Sequence, residues 1–124
     1  MHHSKMNIIE IENSSSVVQY FGHWPSFHDA EVVSMQFDRG EPGYWPIIHI
    51  RFQLTDECEI VLLFQNVHEY ELDGFNCQNV VSGLRFHKEN ELIICNLGPC
   101  SGLSGNVVAE KVSVQKLILS MTTL

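Results

Sequence analysis

Positive charge is what this sequence has least of. Seven Lys and Arg stand against 15 Asp and Glu in 124 residues, a formal net charge of −8. That balance argues against nucleic acid as a partner, because phosphate binding needs clustered cations. None of the cations falls between Arg51 and Arg85, while Asp56, Glu57, Glu59, Glu69, Glu71 and Asp73 all do. Long apolar runs are missing too. None approaches the ~18 residues of a membrane span, so no membrane partner is expected. The start, Met1-His2-His3-Ser4-Lys5-Met6-Asn7, lacks the basic and then apolar regions of an export signal, which implies a cytoplasmic protein. Residues 1–7 are expected to be disordered.

Motifs that would announce chemistry are equally scarce. Cys58, Cys77, Cys95 and Cys100 form no C-x-x-C pair, and a chain long enough to bury a core needs no staples, so reduced thiols are expected. Cys58 and Cys95 lie in apolar alternating runs and read as small buried hydrophobes rather than zinc ligands. Gly98 to Gly105 lacks the lysine and the strand-to-helix context of a phosphate loop and reads as a connector. Val81-Ser82-Gly83 sits in a strand pattern and not at a nucleophile elbow. Cys77, His68 and Asn79 could be drawn as a triad, but no local signature supports it. Catalysis is not indicated, and no cofactor is expected.

What is present is one domain's worth of alternation. Hydrophobic residues make up 44%, as in a globular protein, and residues 1–124 read as a single domain. Ile8 to Ile11 is a short apolar run, an edge strand or simply a lead-in. Asn13-Ser14-Ser15-Ser16 before Val17, and Gly22 after Phe21, bracket a helix over 15–21. Two turns are too short to stand alone, so Val17, Tyr20 and Phe21 are expected to dock on a sheet. Antiparallel strands follow over 31–119. Val33, Met35 and Phe37 are expected on one face of the first, opposite Val32 and Ser34, and the turn 39–43 leads back into Ile48, Ile50, Phe52 and Leu54. Ile60 to Phe64 is continuously apolar and is expected to be a central strand covered on both faces. A change of phase near His68 asks for a bulge, with Glu69 and Glu71 outward. Val80 to Phe86 and Leu92 to Cys95 form a hairpin turning at 87–90, and a last strand runs from Val107 to about Leu119. The fold class is mostly β (α+β): a twisted, meander-like antiparallel sheet or partly open barrel with one short N-terminal helix packed on it.

Between helix and sheet lies the most unusual stretch, Phe21-Gly22-His23-Trp24-Pro25-Ser26-Phe27-His28-Asp29-Ala30-Glu31-Val32. Trp24-Pro25 blocks helix continuation. His28, Asp29 and Glu31 are of metal-ligating and proton-exchanging types, which keeps open a small metal-dependent or ligand-binding enzyme. However, no H-E-x-x-H spacing is present, and along an extended segment Asp29 and Glu31 share a face from which His28 points away. A structural joint fits better, with Trp24, Pro25, Phe27, His28, Asp29 and Glu31 as its members, Trp24 buried beside Phe27, and the polar groups satisfied locally.

This motif, together with Gly74-Phe75-Asn76-x-Gln78-Asn79-Val80-Val81, resembles the immunity protein 50 family of bacterial polymorphic toxin systems over roughly residues 15–119. The resemblance implies a small cytoplasmic protein that binds and blocks a cognate protein toxin without catalysis. It supplies no contact residues. Charge suggests them: Glu59, Glu69, Glu71 and Asp73 would form a negative surface suited to cover the basic cleft of a nuclease toxin.

Overall fold

The computed structural model describes residues 10–120; the N-terminal stretch 1–7 and Ile8-Ile9 lie outside the described residues. Among the described residues, seven strands and one helix follow in chain order: β1 Ile11–Glu12, α1 Ser15–Phe21, β2 Glu31–Asp38, β3 Ile47–Thr55, β4 Cys58–Asp73, β5 Val80–Glu89, β6 Leu92–Ser101 and β7 Ser104–Leu119. The sheet order is β1-β7-β4-β3-β2-β5-β6, and β6 also pairs with β7, so six strands close into a ring. All pairings are antiparallel except β1 on β7. It is not a regular barrel. The β2–β5 seam has a single ladder pair, Glu31 with Val80.

The core fills the ring. Ile48, Ile50 and Phe52 of β3, Ile60, Leu62 and Phe64 of β4, Cys95 and Leu97 of β6, and Val107, Ala109 and Val112 of β7 all point inward and are buried. The alternation in β3 was legible because strand residues two apart share a face. Ile60 to Phe64 is central, lying between β3 and β7, but it is not covered twice: Val61 and Leu63 are only half-buried on the outer side.

Helix α1 spans the expected residues and ends at Gly22, whose φ of 83° is left-handed and whose N–H reaches the Val18 carbonyl, the stop a glycine provides. Val17 is fully buried and Phe21 packs on the core, but Tyr20 is 45% exposed and turns its ring edge to Phe21 instead of the sheet. Successive residues 17 and 20 to 21 straddle the edge of so short a stripe, and only part of it can be covered.

Three further expectations are corrected. In β2 the register shifts between Val32 and Ser34, so Val32 is buried and Val33 is exposed, while Met35 and Phe37 keep their shared face opposite Ile50 and Ile48, with Phe37 half-exposed near the strand's end; the extra residue of a bulge shifts the alternation by one. The turn after β5 sits at Asn90-Glu91, with φ values of 48° and 70°, a two-residue reversal that lets both strands run further than 87–90 would. Gly98 to Gly105 is not a connector: β6 continues to Ser101, β7 begins at Ser104, and only Gly102-Leu103 turn. The bulge expected near His68 is present between Val67 and Glu69.

Candidate functional site

The joint does its work through the main chain. Residues 26–32 run beside the start of β5, where the ladder itself is thin, and four backbone bonds close the gap. These are Leu84 N–H to Ser26 O (2.9 Å), Asp29 N–H to Val81 O (3.0 Å), Val81 N–H to Ala30 O (2.9 Å) and Val32 N–H to Asn79 O (2.7 Å). The segment is not extended: Phe27 and Asp29 have φ of 66° and 65°, and the Ala30 N–H returns to the Phe27 carbonyl at 3.0 Å. A left-handed phenylalanine is strained unless its surroundings hold it. Here the ring is 2% exposed and meets Phe52 edge-on at 5.1 Å and Trp24 at 5.7 Å.

Trp24 is half-buried rather than buried, leaning also on Phe86 at 6.3 Å; Pro25 is buried. The His28 Nδ1–H donates to the Ser82 carbonyl at 3.0 Å, and its Nε2 lies 3.5 Å from the Asp29 carboxylate, both side chains mostly exposed. Glu31 opens β2 between Gln53 and Val80. Because the two left-handed residues break the strand period, His28, Asp29 and Glu31 do not converge. Among the described residues no group of three or more His, Cys, Asp or Glu could hold a metal ion.

The second motif ties itself to the first. Asn79 is 3% exposed. Its Oδ1 accepts from the N–H of Asn76 (2.8 Å) and of Leu103 (3.2 Å), and its Nδ2 donates to the Asn76 carbonyl (2.8 Å). One side chain thus pins the β4–β5 loop to the β6–β7 turn while its carbonyl holds β2. Gly102 in that turn has φ of 76°, and a Cβ there would come within 2.6 Å of Asn79 Oδ1, so the turn admits only glycine.

The four acidic candidates are not one patch. Glu59 stands near the start of β4, up to about 33 Å along the strand from Glu69. It is held by Arg51, which donates through Nε at 2.6 Å and through a second nitrogen at 2.5 Å. The cation-free interval hid this pair, because Arg51 sits on the neighbouring strand just outside it. Glu69, Glu71 and Asp73 do fall together, opposite Val108, Asn106 and Ser104 of β7. Their carboxylates make no hydrogen bond or ion pair with a described residue, so their charge is unopposed there.

Around them lie aromatics that pattern reading assigned to no site. Tyr70 faces the ring interior opposite buried Val107 yet is half-exposed, and its ring meets that of Phe37 at 5.3 Å. Trp45 is half-exposed and stacks on His68 at 4.1 Å, and Tyr44 is more exposed still. His68 in turn donates to Glu110 at 2.7 Å, and Asn66 adds a bond at 3.1 Å. The hydrogen bond from His68 holds the Glu110 carboxyl below the usual glutamate range, against a smaller desolvation, with Asn66 helping. Burial raises the Cys58 thiol, with Glu59 adding to the shift, and burial alone pushes Cys95 far up, so neither is a nucleophile.

The described strands form a small antiparallel ring, and the far end of β4 presents an acidic, aromatic-flanked surface. The chain belongs to the family described as Immunity protein 50, whose profile it matches over residues 13–119. No curated protein and no solved structure matches it significantly.

Proposed function

We propose that this chain binds and neutralises a cognate bacterial toxin in the cytoplasm, acting by occlusion and without catalysis, and that the toxin surface it covers is basic, as in the substrate cleft of a nuclease. Membership of the immunity family, matched over residues 13–119, carries this reading. The charge pattern supports the finer part. A chain of net charge −8 with Glu69, Glu71 and Asp73 side by side and unpaired attracts cationic surfaces and speeds their encounter. Glu59, held by Arg51, adds to the acidic field as half of an ion pair.

The test uses the product of the neighbouring toxin gene. Glu69→Lys with Asp73→Lys should slow association and flatten its dependence on salt, while the melting temperature changes little because exposed charges contribute little to folding. Equal rates and equal salt slopes for wild type and variant would show that these carboxylates only solvate the strand.

A further inference from the structure

β4 is flanked unequally. On one edge β7 accompanies it from Cys58 to Asp73. On the other, the ladder with β3 ends at the Ile48–Phe64 pair, and the last main-chain bond on that side runs from the Val67 N–H to the Pro46 carbonyl at 2.9 Å. From Glu69 to Asp73 that edge has no strand beside it among the described residues. An edge of free N–H and C=O groups is a template for a further strand. We propose that Glu69–Asp73 is where the toxin docks, by laying an extended segment with Lys or Arg at every second position along this edge as an added strand.

The side chains select that occupant. Glu69, Glu71 and Asp73 alternate onto the outer face, while Tyr70 and Leu72 take the inner one, with Phe37 against Tyr70. An added strand would set one row of its side chains against three carboxylates and the other against aromatic and aliphatic surface, the division of labour of strand addition. A second copy of this chain would instead place like charges opposite one another, which destabilises a pair. Trp45 and Tyr44 stand at the start of the free edge, and Trp and Tyr are the residue types that most often dominate binding energy. The adjoining loop carries one cation, Arg39, between Asp38 and Glu41, which leaves the local sign negative.

The proposal rests on the reading that the chain binds a toxin, and the experiment separates the two. Full-length isotope-labelled protein is titrated with a hexapeptide of alternating lysine and valine, and with the same peptide N-methylated at every amide, which keeps charge and side chains but removes the donors. Amide shifts and slowed exchange confined to residues 68–73 and Trp45, about tenfold weaker for Glu71→Lys and absent with the methylated peptide, are expected. Equal binding of the methylated peptide, shifts elsewhere, or no binding would overturn it, as would a concentration-dependent dimer whose protection falls on 69–73. In parallel, wild type and a Tyr70→Ser, Glu71→Lys variant of unchanged melting temperature are co-expressed with the toxin. Protection lost only in the variant is expected, and equal protection would reject the edge while keeping the immunity function. If wild type itself fails to protect, the toxin reading falls, and the peptide titration decides the edge alone.

Discussion

Replacing Asn79 by alanine should be the most damaging change of a polar side chain in this protein. The substitution removes three hydrogen bonds, two accepted by Oδ1 and one donated by Nδ2. It also leaves the N–H of Leu103, a residue with no exposed surface, without its acceptor. At about 1 kcal/mol for each bond, with the orphaned buried donor at the upper end, the loss is about 3 kcal/mol. The two groups on Asn76 can turn to water and recover a part, whereas Leu103 cannot. For a domain of this size that corresponds to a fall in melting temperature of roughly 10–15 °C. Asn79→Asp keeps the acceptor and loses only the donor, facing a carboxylate oxygen to the Asn76 carbonyl, so it should fall between wild type and Asn79→Ala. Thermal and urea unfolding followed by circular dichroism measure both. A loss for Asn79→Ala below about 1 kcal/mol would refute the reasoning, since it would mean that the loop and turn are held by something other than this side chain.

Deleting the ring of Phe27 should cost about 3–5 kcal/mol and that of half-buried Trp24 distinctly less, the reverse order contradicting the packing described for the joint; urea midpoints of the two alanine variants decide. A thiol reagent at pH 8 should titrate Cys77 and Cys100, which are exposed, and leave Cys58 and Cys95 unreacted until the protein is denatured; four fast thiols in the native state would contradict the burial. Glu110 should titrate below the ordinary glutamate range in a side-chain NMR experiment, and His68→Ala should bring it back up. Because its folded-state pKa is lowered, the stability it contributes is present above the ordinary glutamate range and lost as pH falls through the lowered value. An unchanged midpoint in His68→Ala would show that the contact does not form in solution.

Several elements were legible in the sequence. Helix 15–21 announced itself by polar residues before and a glycine after; β3 by strict alternation; the bulge near His68 by a phase break that no straight strand could absorb. The two motifs were visible as unusual strings, and their likeness to the immunity family was readable from them. Each of these is a local property, decided by neighbours within a turn or a strand period.

The sequence by itself therefore determined the class of fold, the placement of the helix and the β3 core, the burial of Cys58 and Cys95 and the acidic bias of β4. Only the tertiary structure decided which of those features act together. The bulge at Val33 put Val32 on the inner face with Met35 and Phe37, and Phe37, near the end of β2, was left half-exposed against Tyr70. Arg51 reached across from β3 to neutralise Glu59, while Glu69, Glu71 and Asp73 stayed unopposed because β3 ends before reaching them. Asn79, a member of the second motif, became the tie to the first, nearly fifty residues away, through its carbonyl on the Val32 N–H. Strand pairing, bulges and the point where a neighbouring strand stops are set by contacts distant in sequence, and a period read along one strand carries no information about what lies on its other edge.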